Sequence, residues 1–332
     1  MIIPFFIPHA GCPHQCVFCN QKHITGQRTS VDPSSVAQTI TAYLNKSEQR
    51  EPAQVAFYGG SFTALAIEVQ KSYLEACQPF IVSGRIKGLR LSTRPDCINR
   101  EILALLRDHH VETIELGVQS MNDAVLMRSG RGHTAAHTIH AVTLLREQGF
   151  TIGLQLMPGL PGDAAETFMM TVSAVLGMRP AFVRLYPALV IKDTPLETLY
   201  RTGQFTPLSM DEAVQWCMNA FLQFERAGIA VIRMGLQPTE ELQRPGTVLA
   251  GPYHPAFRQL VDSLVLLNRM RAALHQRAPG AGPACLLSHP SDVAAAIGQK
   301  RSNILVLKKE FHLTELRVLA APSVAKGSIT YQ

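Results

Sequence analysis

The sequence predicts an α/β fold built on a parallel β-sheet. Six short runs of β-branched and apolar residues alternate, along residues 2–187, with segments that have helical periodicity. Strands that alternate with helices pair in parallel through right-handed crossovers. The 332 residues, 46% of them hydrophobic, supply enough apolar material for a large core. Periodicity alone does not distinguish an open sheet from a full or partial barrel, but in each case sites are expected at the carboxyl ends of the strands.

Each strand and helix of this alternation can be placed on the sequence. The strand candidates are, in order, IIPFFI, QVAFYGG, GLRLST, TIELGVQ, TIGLQLM and AFVRLYP. Asp32 and Pro33 are the N-cap and first residue of the first helix, and Gly149 ends the fourth. The second to fifth helices are AIEVQKSYLEACQPF, NREILALLRDHH, AAHTIHAVTLLREQG and DAAETFMMTVSAVLG. A sixth helix, MDEAVQWCMNAFLQFERAG, ends at Gly228 and precedes the strand candidate IAVIRM.

A change of composition near residue 232 predicts a second domain. Proline and glycine become frequent in QPTEELQRPGTVLAGPYHP, so we expect a main α/β domain at residues 1–232 and a C-terminal α/β extension at residues 233–332. The extension is predicted to contain a helix (PAFRQLVDSLVLLNRMRAALHQR), a loop (APGAGPAC), a short helix (SDVAAAIG) and a strand (NILVLKK).

The positive charge of the chain is concentrated in this extension. Residues 1–232 carry 19 Lys and Arg against 19 Asp and Glu, whereas residues 233–332 carry 12 against 6, so the whole net charge of +6 lies there. A basic segment predicts a polyanionic partner, here RNA. A generic basic surface is the alternative.

Two stretches of the extension combine cations with aromatic residues. GPYHPAFRQLV contains Tyr253, Phe257 and Arg258, and GQKRSN contains Lys300 and Arg301. Aromatic rings stack on unpaired bases and cations bind phosphates, so Tyr253, Arg258, Lys300 and Arg301 are candidate RNA-binding residues. The alternative is an amphipathic helix that packs over the main domain and exposes a charged outer face.

Cysteine usage and hydropathy predict a cytoplasmic protein with no membrane association. Four of the seven cysteines, Cys77, Cys97, Cys217 and Cys285, have no spacing pattern, and an odd total favours reduced thiols over disulfides. The opening run MIIPFFIPHA is too short for a signal sequence and lacks a basic region before it. No later stretch is long enough to cross a membrane.

The other three cysteines form the run CPHQCVFC directly after the first predicted strand. Cys12, Cys16 and Cys19 have the spacing C-x3-C-x2-C. A cubane iron–sulfur cluster normally takes four cysteines, so three on one loop leave one iron open for a cofactor or substrate. The alternative is a zinc site in which His9 or His14 supplies a fourth ligand.

This cysteine run resembles the signature of the radical S-adenosylmethionine (SAM) superfamily, which implies a partial (β/α)6 barrel. The resemblance implies that Cys12, Cys16 and Cys19 hold a 4Fe-4S cluster whose open iron chelates SAM. An electron from the cluster, supplied by a reductant such as flavodoxin or ferredoxin, then cleaves SAM to a 5′-deoxyadenosyl radical that abstracts hydrogen. The resemblance also implies that Phe18 contacts the adenine.

FYGGSF, residues 57–62, ends the second predicted strand and resembles the glycine motif of the same superfamily. The resemblance places Tyr58, Gly59 and Gly60 beside the amino group of SAM. Taken alone, paired glycines also suit an ordinary strand-to-helix turn.

Later motifs follow the remaining strands in order and resemble one branch of the superfamily, the radical SAM domain of the catalytic subunit of Elongator, which modifies wobble uridines in tRNA. The motifs are STRPD, ELGVQS, GRGHT, MPGLPGD and RLYPALVIKDTPL, and the resemblance covers residues 9–210. It implies that Ser92, Arg94, Gln119 and Arg131 surround the ribose and carboxylate of SAM, to which a guanidinium forms paired charge-assisted hydrogen bonds. Lys192 is a candidate ligand of substrate phosphate, with a solvated lysine as the alternative.

The resemblance therefore predicts a radical SAM enzyme that acts on tRNA or another RNA. The cysteine spacing is shorter than in the Elongator subunit and closer to that of oxygen-independent coproporphyrinogen oxidases. No acetyltransferase motif follows the radical SAM motifs, so no acetyl-CoA site is expected. The alternatives are a radical enzyme acting on a peptide or on a small molecule such as a tetrapyrrole precursor, and a non-catalytic RNA-binding protein with a structural cluster or zinc.

Overall fold

The computed structural model describes residues 1–26, 31–46, 51–276 and 282–332. Two units are distinguished: a larger one of Met1–Ala213 and Leu222–Tyr253, and a smaller one of Val214–Phe221 and His254–Gln332. Whether residues 233–332 function as a substrate-binding domain stays a prediction.

The larger unit is organised around a seven-stranded parallel sheet with the order β1-β2-β3-β4-β5-β6-β8. Among the described strands β1 does not pair with β8, so the barrel is partial, which confirms the predicted fold class. A separate antiparallel pair, β7 with β9, belongs to the same unit. The strands are β1 (Ile2–Ile7), β2 (Ala53–Gly59), β3 (Ile86–Thr93), β4 (Val111–Gln119), β5 (Thr151–Leu156), β6 (Phe182–Leu185), β7 (Val190–Ile191), β8 (Ala230–Met234) and β9 (Val248–Ala250).

The inner strands are buried on both faces, as is usual for a parallel sheet covered by helices. In β2 every residue from Ala53 to Phe57 is buried, so the segment shows continuous burial instead of an alternating pattern, and only Gln54 among these residues is polar. Phe57 anchors the core because its ring lies 5.2–5.6 Å, between centroids, from those of Phe5, Phe62 and Tyr73.

The helices of residues 1–253 largely follow the predicted ends. α2 begins at Pro33 with Asp32 Oδ1 accepting a hydrogen bond from the backbone of Ser34 at 2.8 Å, and Gly149 has a left-handed φ of 76° just after α7. They are α1 (Gln21–Thr25), α2 (Pro33–Lys46), α3 (Ile67–Glu75), α4 (Gln78–Val82), α5 (Arg100–Asp108), α6 (Asp123–Arg128), α7 (Ala135–Glu147), α8 (Ala165–Met178), α9 (Pro195–Arg201), α10 (Met210–Arg226) and α11 (Glu240–Gln243).

The predicted second helix is divided into α3 and α4. Pro79 lies within α4 and has no N–H to bond to the carbonyl of Glu75, so one continuous helix cannot form across this position. The short helices α1, α6, α9 and α11 are below the length at which periodicity is informative. None of the helices in the described part of the chain is long and apolar enough to cross a lipid bilayer.

The smaller unit contains a three-stranded sheet, order β11-β10-β12, and three further helices. β10 (Ala284–Ser288) pairs in parallel with β11 (Leu316–Ala320) and antiparallel with β12 (Ile329–Tyr331). The helices are α12 (Phe257–His275), α13 (Val293–Ile297) and α14 (Ser302–Glu310). Residues 277–281, which include part of the predicted loop, lie outside the described residues.

The predicted strand NILVLKK is wrong, because these residues form helix α14. Its β-branched content favours a strand, but Asn303, Ile304 and Leu307 fall on one buried helical face against the core of the unit. The strands of this unit are β10, which overlaps the predicted loop, and β11 and β12, which the sequence pattern does not indicate.

One buried amide connects the three helices of the smaller unit. Asn303 is 5% exposed, and its Nδ2 lies 3.0 Å from the backbone oxygen of Ser263 on α12. The same nitrogen lies 3.2 Å and 3.1 Å from the carbonyl oxygens of Ala295 and Ala296 on α13.

We predict that Asn303→Ala lowers the free energy of unfolding by about 1–3 kcal/mol, because it leaves buried carbonyl groups without a donor. Urea denaturation followed by circular dichroism measures the change. Asn219→Ala, at an exposed position of α10, is the control. Equal losses in the two variants would contradict the prediction.

Candidate functional site

A cavity of about 650 Å³ lies at the carboxyl ends of the parallel strands in the larger unit. The structure brings all the predicted cluster and cofactor residues together in its lining. Their individual roles stay predictions. They are Cys12, Cys16, Phe18, Cys19, Tyr58, Gly59, Gly60, Ser92, Arg94, Gln119 and Arg131.

The three cysteines lie on the loop that connects β1 to α1. The backbone N–H of Cys12 donates to the carbonyl of His9 at 3.3 Å, and that of Cys19 donates to the carbonyl of Cys16 at 3.1 Å. His9 has a left-handed φ of 55°, and its Nε2 accepts from the backbone N–H of Gln21 at 3.0 Å. The loop is therefore held by its own backbone and by the start of α1.

The other two cysteines of the loop affect the Cys19 thiol electrostatically. Burial, followed by the neighbouring Cys16 and Cys12, raises the pKa of Cys19 to about 12, so the metal-free thiol is protonated at neutral pH. A metal ion removes such a proton when it binds, because its charge stabilises the thiolate.

Among the described residues, no group of three or more Cys, His, Asp or Glu side chains is arranged to bind a single metal ion. A cubane places its iron atoms at separate corners, and each cysteine binds a different one. Three free thiols on the wall of one cavity fit that ligand arrangement.

Close backbone packing joins the cysteine loop to the turn after β2. The backbone N–H of Ser61 donates to the carbonyl of Ala10 at 2.9 Å. A Cβ atom on Gly60 would overlap that carbonyl oxygen and lie 2.7 Å from the carbonyl oxygen of Ile7. Gly60 is therefore required for the close approach of two backbone segments, in addition to its predicted place beside SAM.

Arg94 is buried, with 1% of its surface exposed, and most of its guanidinium N–H donors bond to other groups of the protein. Its Nε and Nη2 atoms each lie 2.9 Å from a carboxylate oxygen of Asp96. Burial alone would raise the pKa of Asp96, but this hydrogen-bonded pairing lowers it below its usual value. Nη1 of Arg94 is buried with no partner among the described residues, so it is the donor that remains for a ligand.

Arg131 connects a cysteine sulfur to strand β4. Its Nη1 lies 3.4 Å from Sγ of Cys16, and its Nη2 donates to the carbonyl of Gly117 at 2.6 Å. Gln119, at the end of the same strand, has a left-handed φ of 67°, and its side chain accepts from Gln155 at 3.2 Å. Strained non-glycine backbone of this kind is concentrated at functional sites.

Part of a charged network that the sequence motifs alone do not indicate also lines the cavity. Glu115 on β4 forms ion pairs with Arg90 at 3.1 Å and with Arg184 at 2.6 Å, and the hydroxyl of Tyr58 donates to it at 3.3 Å. Burial and the charge of Glu115 raise the pKa of Tyr58, so the phenol stays neutral. In the sequence, the feature that could have indicated this network is a charged residue inside each of the largely apolar strands TIEL and FVRL.

Two predicted substrate residues of the larger unit do not line the cavity. Lys192 lies in a separate groove that Glu197 and Arg201 also line. Tyr253 packs against a small cluster that includes Ile191, and its hydroxyl is buried with no partner among the described residues. Their binding roles stay predictions.

In the smaller unit, Arg258 forms an ion pair with Asp262 at 2.8 Å and lies over the ring of Phe221. Phe257 is 2% exposed, so its ring has no open face for a base. Lys300 and Arg301 are exposed, with left-handed φ values of 50° and 63°, and directly precede helix α14. With Lys192, these two cations are the exposed members of the predicted substrate residues, whereas Tyr253 and Arg258 are half-buried.

Two family models match the chain. The model of the radical SAM superfamily matches residues 6–175, and the model of the radical SAM C-terminal domain matches residues 180–265. The chain belongs to the radical SAM superfamily. Members of this superfamily bind a 4Fe-4S cluster and SAM.

Relatives of this radical SAM protein include enzymes named for tRNA. The tRNA uridine(34) acetyltransferase of Methanocaldococcus infernus is 28% identical over 247 residues, which cover 62% of this chain and 46% of the relative. Elongator complex protein 3 of Homo sapiens is 30% identical over 132 residues, which cover 39% of this chain and 24% of the relative. The chain thus spans about half or less of the length of these relatives.

A solved structure supports the fold. The archaeal Elp3 of Methanocaldococcus infernus, with an N-terminal deletion, superimposes with a TM-score of 0.63 and 20% identity. The superposition covers 84% of this chain and 64% of that one.

We predict that Gly60→Ala destabilises the chain by about 1–3 kcal/mol, since a Cβ atom at this position forces the backbones of the cysteine loop and the β2 turn apart. Chemical denaturation of the metal-free protein measures the effect. Gly177→Ala is the matched control, because Gly177 lies within α8 with no neighbouring atom inside 4 Å of an added Cβ. A Gly60→Ala variant as stable as Gly177→Ala would show that the close approach is not required.

Proposed function

We propose that this protein is a radical SAM enzyme that modifies tRNA. The observation that carries the proposal is that the three cysteines and all the predicted SAM-contacting residues line one cavity at the carboxyl ends of the parallel strands. This edge is where enzymes with parallel α/β sheets and barrels bind their ligands.

The chain's own residues would hold and orient the cofactors. Cys12, Cys16 and Cys19 would bind the cluster, and Nη1 of Arg94 is a buried donor for the carboxylate of SAM. When bound, the cluster and SAM supply a 5′-deoxyadenosyl radical that removes a hydrogen atom from the substrate. Arg131 donates to Sγ of Cys16, and hydrogen bonds to cluster sulfurs are among the factors that set the reduction potential.

Three observations support tRNA as the substrate. Three of the relatives are named as tRNA uridine(34) acetyltransferases. All of the excess positive charge lies in residues 233–332. Lys300 and Arg301 are exposed at the N-terminal end of α14, where helix geometry favours phosphate. The electron donor and the expected absence of an acetyl-CoA site stay predictions.

We predict that anaerobic reconstitution of the protein gives about four iron and four sulfide per chain. With a strong reductant, the loaded protein should convert SAM to 5′-deoxyadenosine and methionine. Serine at Cys12, Cys16 or Cys19 should abolish both the iron content and this conversion, whereas Cys285→Ser, in the smaller unit, should retain both.

Iron analysis and chromatography of the nucleoside products distinguish the alternatives. Stoichiometric zinc with no iron uptake would support the zinc site and overturn the cluster assignment. A complete cluster with no 5′-deoxyadenosine, both with and without tRNA, would support a non-catalytic protein.

We also predict that the protein binds tRNA through the cations near α14. Affinity should fall by about 0.7 log unit per log unit of salt for each single-strand phosphate contact, because counterions are released. Lys300→Glu with Arg301→Glu should weaken binding, as measured by filter binding against total tRNA. Lys87→Glu with Arg226→Glu, at exposed positions of the larger unit, is the matched charge reversal and should weaken binding less.

Binding of tRNA no stronger than that of a neutral control protein would remove RNA as the substrate. In that case the radical chemistry would stand and the small-molecule or peptide alternative would be favoured.

A further inference from the structure

The charged groups that line the cavity are unbalanced. Its lining contains four arginines but only one carboxylate among the described residues. Most of these arginines already have an anion or a sulfur as partner. The charged lining residues are Arg94, Arg131, Arg184, Arg233 and Glu115.

Glu115 has no capacity left for a further cation. Its side chain is 5% exposed, and its two carboxylate oxygens lie 3.1 Å and 2.6 Å from nitrogen atoms of Arg90 and Arg184. This cluster therefore combines two positive charges with one negative charge. It neutralises none of the charge of Arg233.

Arg233 is the cation of the cavity that lacks an anionic partner in the described chain. It lies on β8 in register with Arg184 on β6, so two guanidinium groups occupy neighbouring strands. Its Nη1 donates to Oε1 of Gln237 at 2.9 Å, and the residue is partly exposed. Two neighbouring cations repel each other, and an anion bound at Arg233 would relieve that repulsion.

We propose that Arg233 and Gln237 form a subsite for a phosphate group of the substrate. The inference rests on the proposed function, in which the substrate is a nucleotide of RNA. A guanidinium binds two phosphate oxygens through its planar pair of N–H donors. The amide oxygen of Gln237 accepts from Arg233, which leaves the amide nitrogen with two N–H donors for the same ligand.

The position of the subsite suits a substrate group rather than a structural ion pair. β8 ends at Met234, and the chain turns at Gly235, whose φ is 75° and whose N–H donates to the carbonyl of Leu185 at 2.9 Å. This turn keeps Gln237 beside the strand end, and both Arg233 and Gln237 line the cavity that also contains the cysteines. A partly enclosed guanidinium binds an anion more strongly than one in bulk water, since the local dielectric is lower.

The test compares uridine 5′-monophosphate with uridine on the anaerobically reconstituted protein. Isothermal titration calorimetry should show that the wild type binds the monophosphate about tenfold or more tightly, as expected for a charged hydrogen bond. Arg233→Gln should abolish this preference. Arg233→Lys should retain part of it, because lysine keeps the charge but not the planar pair of donors.

The matched control is Arg226→Gln, which removes the same charge from an exposed position at the end of α10. It should keep the full preference for the monophosphate. Equal binding of the two ligands by the wild type would overturn the inference without any variant. An unchanged preference in Arg233→Gln would overturn it as well.

A second readout separates this inference from the proposed function. Formation of 5′-deoxyadenosine by the wild type, together with no phosphate preference, would remove the subsite and leave the radical SAM enzyme. A phosphate preference that depends on Arg233, without any 5′-deoxyadenosine, would keep the subsite and remove the proposed radical chemistry.

Discussion

The site depends on direct backbone contact between the cysteine loop and the turn after β2. Strands β1 and β2 are parallel, with Ile7 opposite Gly59, so both loops leave the sheet at the same edge. Gly60 has no side chain to separate them, and the N–H of Ser61 bonds to the carbonyl of Ala10 at 2.9 Å. Sheet register thereby fixes where the thiols lie, since a loop that is tied at its base cannot move independently of the strand that carries it.

The second constraint is the free-energy cost of burying thiolates. Burial and the two neighbouring sulfurs raise the pKa of Cys19 to about 12, and Arg131 counteracts this only in part. The metal-free protein therefore keeps the Cys19 thiol protonated, and a bound metal supplies the charge that stabilises its thiolate. Arg131 also donates a hydrogen bond to the carbonyl of Gly117, and this second contact holds its guanidinium beside the sulfur of Cys16.

Sequence patterns predict the larger unit better than the smaller one, for physical reasons. Parallel strands buried on both faces give continuous apolar runs, and cofactor motifs at their ends have fixed spacing. In the smaller unit, Asn303 and its neighbours form a helix because their buried face packs on a core that local propensity does not reveal. The sequence does not indicate a role for Arg233, because that role depends on the lack of an anionic partner among the described residues. Only the fold shows which carboxylates are already paired.

Ion pairing determines which side chains of residues 233–332 carry the excess positive charge, and this matters for the proposed binding of RNA. Lys300 and Arg301 form no ion pair in the described chain and are exposed, so their field reaches solvent. Exposed ion pairs contribute little to the attraction of a polyanion, because each cation there is already balanced. Four of the six carboxylates in this segment are occupied in this way: Arg244–Glu241, Arg258–Asp262, Arg271–Glu310 and Arg317–Glu315. This pairing leaves the excess of six positive charges unchanged and concentrates it on the remaining cations, Lys300 and Arg301 among them. In the proposed complex with RNA, such cations would contact the phosphate backbone and would carry no base specificity.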